Sequence, residues 1–90
     1  MKITVIYDNQ AHTVGLKSDW GFACLIEKEG APALLFDTGA DGEILLHNME
    51  KLGLDPLAID LVVISHAHWE HMGGLSRLLD RNMEVTVYIP

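Results

Sequence analysis

Cysteine is almost missing from this chain. Cys24 stands alone among 90 residues, so no intrachain disulfide can form, which suits a reducing compartment. Set inside the strand-like run FACLIE, it reads as a buried structural thiol. Basic residues are also scarce: six Lys and Arg face 13 Asp and Glu, a formal net charge of −7. That balance excludes nucleic acid as a general partner, because phosphate binding needs a basic face. The acidic residues are scattered from Asp8 to Glu84 and read as a solvated surface that maintains solubility. No apolar run is long enough to span a bilayer. The opening MKITVIYDN holds one Lys and a brief apolar run before Asp8, too short for a signal peptide. The expected setting is therefore cytoplasmic, with no membrane partner.

What is present describes an ordinary globular domain, with 49% hydrophobic and 21% charged residues. A chain this short buries only roughly 60–65% of its unfolded surface, so a metal, a partner subunit or both would help to stabilise it. Residues 1–90 read as a single domain without linker or repeat. ITVIY (3–7), FACLIE (22–27), ALLF (33–36), LVVIS (61–65) and EVTVYI (84–89) read as strands, the second and third forming a hairpin. LVVIS is apolar enough for a strand covered on both faces. Residues 9–21 read as a loop. DGEILLHNMEKLG predicts a helix with Asp41 as N-cap, Gly53 as its stop, and Ile44, Leu45, Met49 and Leu52 on one face. GLSRLLDRN predicts a second helix, with Leu75, Leu78 and Leu79 on one side and Asn82 at its end. Met72 and Met83, flanking it, read as packing residues.

The order β, β, β, α, β, α, β gives an α/β fold: a mixed sheet with two helices on one face. Helical crossovers make the last three strands parallel. The C-terminal ends of ALLF and LVVI then share one sheet edge, where Asp37-Thr38-Gly39 meets the segment SHAHWEHMGG (65–74).

That segment holds three histidines and a carboxylate in six positions. His66 and His68, two apart, face the same way on extended chain. A helical turn brings His71 back towards His68, and Glu70 adds an oxygen donor. Gly73-Gly74 removes side-chain bulk where the helix starts close to the sheet. Imidazoles with a carboxylate suit zinc best, one or two ions, with iron or manganese as alternatives. His12 and His47 read as solvated histidines.

HAHWEH resembles the HxHxDH signature of the metallo-β-lactamase superfamily, and LFDTG resembles that family's first motif. VIYDN, GFACLIEKEG, IDLVVISHAHWEHMGGL and VTVYIP follow in the family's order. Within the superfamily the sequence is most similar to the 7,8-dihydropterin-6-methyl-4-(β-D-ribofuranosyl)aminobenzene-5′-phosphate synthase-like metal-dependent hydrolases. The resemblance implies the N-terminal half of an αββα sandwich. It implies that His66 and His68 hold a first metal, and that Glu70 and His71 hold a second. Asp37 would orient the ligands and, with Glu70, make up the expected catalytic residues. The implied chemistry is hydrolysis of a small molecule, metal-bound hydroxide attacking an ester, amide or phosphoester. Two departures bear on this. The family has Asp at the position of Glu70, and its remaining ligands, two histidines and a bridging Asp, come from a C-terminal half whose motifs are not found here. The alternative is a non-enzymatic metal-binding half-domain. Either way the expected partner is a second copy or a complementary C-terminal half.

Overall fold

β-branched residues open the chain, and Lys2–Tyr7 forms β1, followed by β2 (Ala23–Glu27) and β3 (Leu34–Phe36). A computed structural model describes residues 1–9, 15–66 and 68–90. The expectation that His12 is solvated, and part of the loop expected over 9–21, lie outside the described residues. After β3 come α1 (Gly42–Lys51), a 3-10 turn at Pro56–Ala58 and β4 (Leu61–Val63). The one-turn helix α2 (Trp69–Met72), α3 (Leu75–Arg81) and β5 (Thr86–Tyr88) complete the chain.

The five strands lie in sequence order. The first three pair antiparallel, and β3–β4–β5 are parallel, as the helical crossovers require. Strand register divides the sheet into two faces. Leu25, Leu35, Val62 and Val87 are aligned across one of them, and this face packs against Leu45 and Met49 of α1 and Leu78 of α3. On the other face Val5, Cys24, Phe36, Val63 and Tyr88 are aligned. There Val5 is 43% and Tyr88 57% exposed. The helices thus cover one face, as expected. β4 differs from expectation: Val62 is fully buried but Leu61 and Val63 are only half-buried, because no helix reaches their side of the sheet.

A register shift between Val5 and Tyr7 breaks the alternation of β1, so that the consecutive residues Ile6 and Tyr7 are both buried. The Tyr7 ring packs beneath Gly39, and its hydroxyl accepts from Asp41 N at 3.1 Å. Burial is the main cause that raises the phenol's pKa, so the hydroxyl keeps its proton well past neutral pH. Asp41 caps α1, accepting from the backbone of Glu43 and Ile44, and Gly53 takes a positive φ of 73° just past the helix end. Leu45 and Met49 are fully buried while Ile44 and Leu52 are half-buried. Two further expectations need correction. Met83 is 88% exposed and packs nothing, since it lies in the turn beyond α3. His47 is not simply solvated: its Nε2 lies 2.8 Å from Gly15 O, which ties the loop ahead of β2 to α1.

Candidate metal centre

Parallel pairing of Phe36 with Val63 brings the ends of β3 and β4 side by side. Asp37 follows the first strand, and Ser65 and His66 follow the second. Asp37 N donates to Val63 O at 2.9 Å, which extends the ladder by one bond. The chain then turns through φ 61° at Asp37, the only non-glycine residue with positive φ among the described residues. A short polar side chain tolerates this left-handed conformation better than most. The turn directs the carboxylate inward, where it is 1% exposed.

Every donor around that carboxylate belongs to the expected cluster or its neighbour. Ser65 donates from its backbone N to Asp37 Oδ1 and from its hydroxyl to Oδ2, both at 2.7 Å. His71 Nδ1 lies 2.7 Å from Oδ2. A carboxylate can only accept, so Nδ1 carries the proton and Nε2 of His71 keeps its lone pair. The same logic continues to His66. The Ser65 hydroxyl spends its proton on Asp37, so it accepts from His66 Nδ1 at 2.9 Å, and His66 likewise presents Nε2 as an acceptor. Asp37 and Ser65 together fix both tautomers.

The loop after β3 and helix α2 are pinned by their backbones. Thr38 donates to His71 O through its N at 2.8 Å and its hydroxyl at 3.1 Å, and Gly74 N donates to Gly39 O at 3.0 Å. At Gly73 a Cβ would come within 2.2 Å of Ala40 O, and at Gly74 within 2.5 Å of Thr38 O. The glycine pair is needed because a side chain would push α2 away from this loop.

Among the described residues, His66, Glu70 and His71 form one group of potential metal ligands, each offering an atom within 4.8 Å of the others. The rings of His66 and His71 are 3.9 Å apart between centroids. His68 stands at the rim, 69% exposed in its side chain. Its ring is edge-on to His66 at 5.0 Å, and its Nδ1 is 3.5 Å from Glu70 Oε1. The grouping thus puts His66 with Glu70 and His71, with His68 alongside, rather than as two separate pairs. Three side chains with two imidazoles and a carboxylate match in number and kind the protein ligands of a catalytic zinc, which keeps one position open. The donor set fits a metal.

Ser65 was not singled out from the sequence; its place between a buried strand and the first histidine was the available signal. The segment Trp20–Phe22 was also missed. Gly21 has φ 119°, and a Cβ there would lie 2.0 Å from Glu70 O, so this segment is seated directly on α2. Between the two lies an open cleft of about 590 Å³, bordered by Trp20, Phe22, Trp69, Glu70 and His71. Cys24 is buried as expected. Burial, then the Asp37 charge, raises its thiol pKa, which keeps it protonated and unreactive at neutral pH. No described helix is long and apolar enough to cross a membrane.

Comparison with known proteins agrees with this arrangement. The chain is 33% identical over 89 residues to a 7,8-dihydropterin-6-methyl-4-(beta-D-ribofuranosyl)-aminobenzene-5'-phosphate synthase of Methanocaldococcus jannaschii, which covers 94% of this chain and 30% of that protein. It therefore spans less than a third of the length of that relative. Its structure is similar to that of Tm1679, a metal-dependent hydrolase of the beta-lactamase superfamily (TM-score 0.67, 38% identity, 81% of this chain and 25% of that one). It is also similar to the short form of human tRNase Z (TM-score 0.68, 28% identity, 88% of this chain and 28% of that one). The profile of the metallo-beta-lactamase superfamily matches residues 21–90, and the chain belongs to that superfamily.

Proposed function

We propose that this chain carries the metal-ligating part of a hydrolase site, with zinc held by His66, Glu70 and His71 and with His68 beside them. The observation that carries this reading is the Asp37–Ser65 relay. It orients Nε2 of both His66 and His71 while their ligand atoms, with that of Glu70, lie within 4.8 Å of one another. A bound divalent metal supplies Lewis acidity and an acidified water to such a site. The chain's own residues do the rest. Asp37 holds the two imidazoles in the ligating tautomer, and Glu70 provides the carboxylate. The cleft beside α2 admits a small substrate to the ligand cluster. Tm1679 is described as a metal-dependent hydrolase and the M. jannaschii relative as a phosphate synthase, which supports an ester or phosphoester substrate over an amide.

A second reading is favoured by a specific observation: the sheet face bearing Val5, Phe36, Val63 and Tyr88 has no helix on it. On that reading the chain is a metal-binding half-domain, with a second layer contributed by another copy or by a complementary C-terminal half. The cytoplasmic setting is compatible with both, given the single buried thiol. Calorimetric zinc titration together with elemental analysis tests the shared core of these readings. The protein should take up zinc saturably, and the paired change His66→Ala and His71→Ala should abolish uptake. Equal zinc uptake by the paired variant would overturn the assignment. Zinc-stimulated release of nitrophenol from an activated phosphoester then separates the hydrolase from the half-domain.

A further inference from the structure

The cleft beside the ligand cluster has an unusual wall. Trp20 is 65% and Trp69 62% exposed, although indoles are among the side chains most favoured for burial on contact with a partner. Both line the same cleft, together with Phe22, Asp8, Glu70 and His71. Their common placement follows from the backbone. Gly21 is packed against Glu70 O, and Gly39 N donates to Phe22 O at 3.0 Å. These contacts hold the Trp20 segment against the turn that begins at Trp69. Trp69 itself starts α2, so its indole lies one residue before the Glu70 carboxylate.

The charge of the wall is as informative as its aromatic character. Asp8 and Glu70 bring carboxylates to the cleft, Asp19 borders an adjoining recess with Trp20, and none of the described lining residues is Lys or Arg. An anionic group would meet repulsion here, whereas ring N–H and amino groups would meet acceptors. A flat π-system is the shape that indole faces hold best, since stacking depends on ring area and tolerates variation in the ring's edge.

We infer that this cleft binds the flat, uncharged, amino-bearing heteroaromatic end of the substrate, with Trp20 and Trp69 as its stacking platforms. The inference deepens the proposed hydrolase reading and rests on it for the word substrate. A ring lodged against Trp69 places its attached chain beside Glu70 and His71, so recognition and ligand cluster adjoin. The anionic part of such a molecule would lie outside the cleft, towards the metal.

The probe is 2-aminopurine, whose fluorescence is quenched when it stacks. The intact chain should bind it saturably, and benzoate, a flat ring with a negative charge, should bind far more weakly. Trp20→Ala and Trp69→Ala should each weaken 2-aminopurine binding by at least about fivefold, as loss of a stacking partner does, while Trp69→Phe should keep most of it. Zinc stoichiometry on the same samples reports the ligand cluster separately. Binding of 2-aminopurine that survives the paired change of His66 and His71 supports the cleft even if zinc uptake fails. No saturable binding, undiminished binding in both Trp→Ala variants, or benzoate binding equal to that of 2-aminopurine would overturn the inference.

Discussion

Asp37 is the residue on which most of the centre turns, and it can be tested without disturbing the backbone. Asn tolerates the same left-handed conformation, so Asp37→Asn should fold. Its amide, however, offers one accepting oxygen where the carboxylate receives Ser65 N, the Ser65 hydroxyl and His71 Nδ1. One of these donors must then face an NH2 group, and the relay to His66 is broken. Loss of such an orienting partner weakens metal binding by roughly 10–100-fold. Zinc affinity from calorimetry should fall by that amount with a native circular dichroism spectrum, and an unchanged affinity would remove Asp37 from the role given to it. At this scale the sequence was informative about residue types and less so about their grouping. The spacing of SHAHWEH brings its donors to one place. Whether His68 points in or stands at the rim depends on where α2 starts, and that is decided by Gly73-Gly74 and the loop they touch. The Ser65 hydroxyl was illegible for a related reason: its importance comes from Asp37, 28 residues away.

Helix α1 shows what an element needs beyond its apolar face. Its N-cap, its stop and its Leu45–Met49 stripe follow from local chemistry, and all were readable from the sequence. Asn48 was not, because a polar residue at a helical position reads as solvated. It is fully buried instead, donating to Ile6 O at 2.8 Å and Lys17 O at 2.9 Å and accepting from Lys17 N at 2.8 Å. One side chain thus joins α1, β1 and the loop ahead of β2. Asn48→Ala would remove all three bonds and leave the Ile6 carbonyl buried without that partner. Such a loss costs about 1–3 kcal/mol, a large share of the stability of a domain this small. Urea unfolding should show a midpoint lowered accordingly, with an unchanged slope; a midpoint equal to that of the parent protein would mean that water replaces the amide. Asn82 does the same work at the end of α3, donating to Pro56 O and Ile59 O. There the sequence did mark the helix end, but not the bonds made by the side chain. The strands were overextended in the sequence reading at β4 and β5 for a shared reason. β-propensity continues through Ile64, Val85 and Ile89, whereas pairing stops where the neighbouring strand ends.

At the scale of the molecule, the decisive fact is that one sheet face has helices and the other has none. Apolar side chains occupy both faces, which the sequence already showed in FACLIE, ALLF and LVVIS; which face lacks a cover is fixed by the handedness of the two crossovers. Ile3, Val5 and Tyr88 are 61%, 43% and 57% exposed on the uncovered side, in line with the half-buried Phe36 and Val63 between them. A contiguous apolar patch across five strands is larger than monomeric soluble domains usually leave in water. The chain spans less than a third of the relatives it matches, so whatever covers this face in them is not contributed by the residues present here. For the isolated chain the available cover is a second copy, with sheets stacked roughly 10 Å apart about a two-fold axis. Light scattering at micromolar concentration should therefore give at least twice the monomer mass of 10.0 kDa. Val5→Lys places a charge on the face at a position already partly exposed, so it should leave the fold intact and shift the mass to that of a monomer. Leu57→Lys, in the 3-10 turn of the crossover and 69% exposed, should leave the association unchanged. A cooperatively folded monomer over the whole concentration range, or a Val5→Lys variant still associated, would mean that the sheet face is stable in water as it stands.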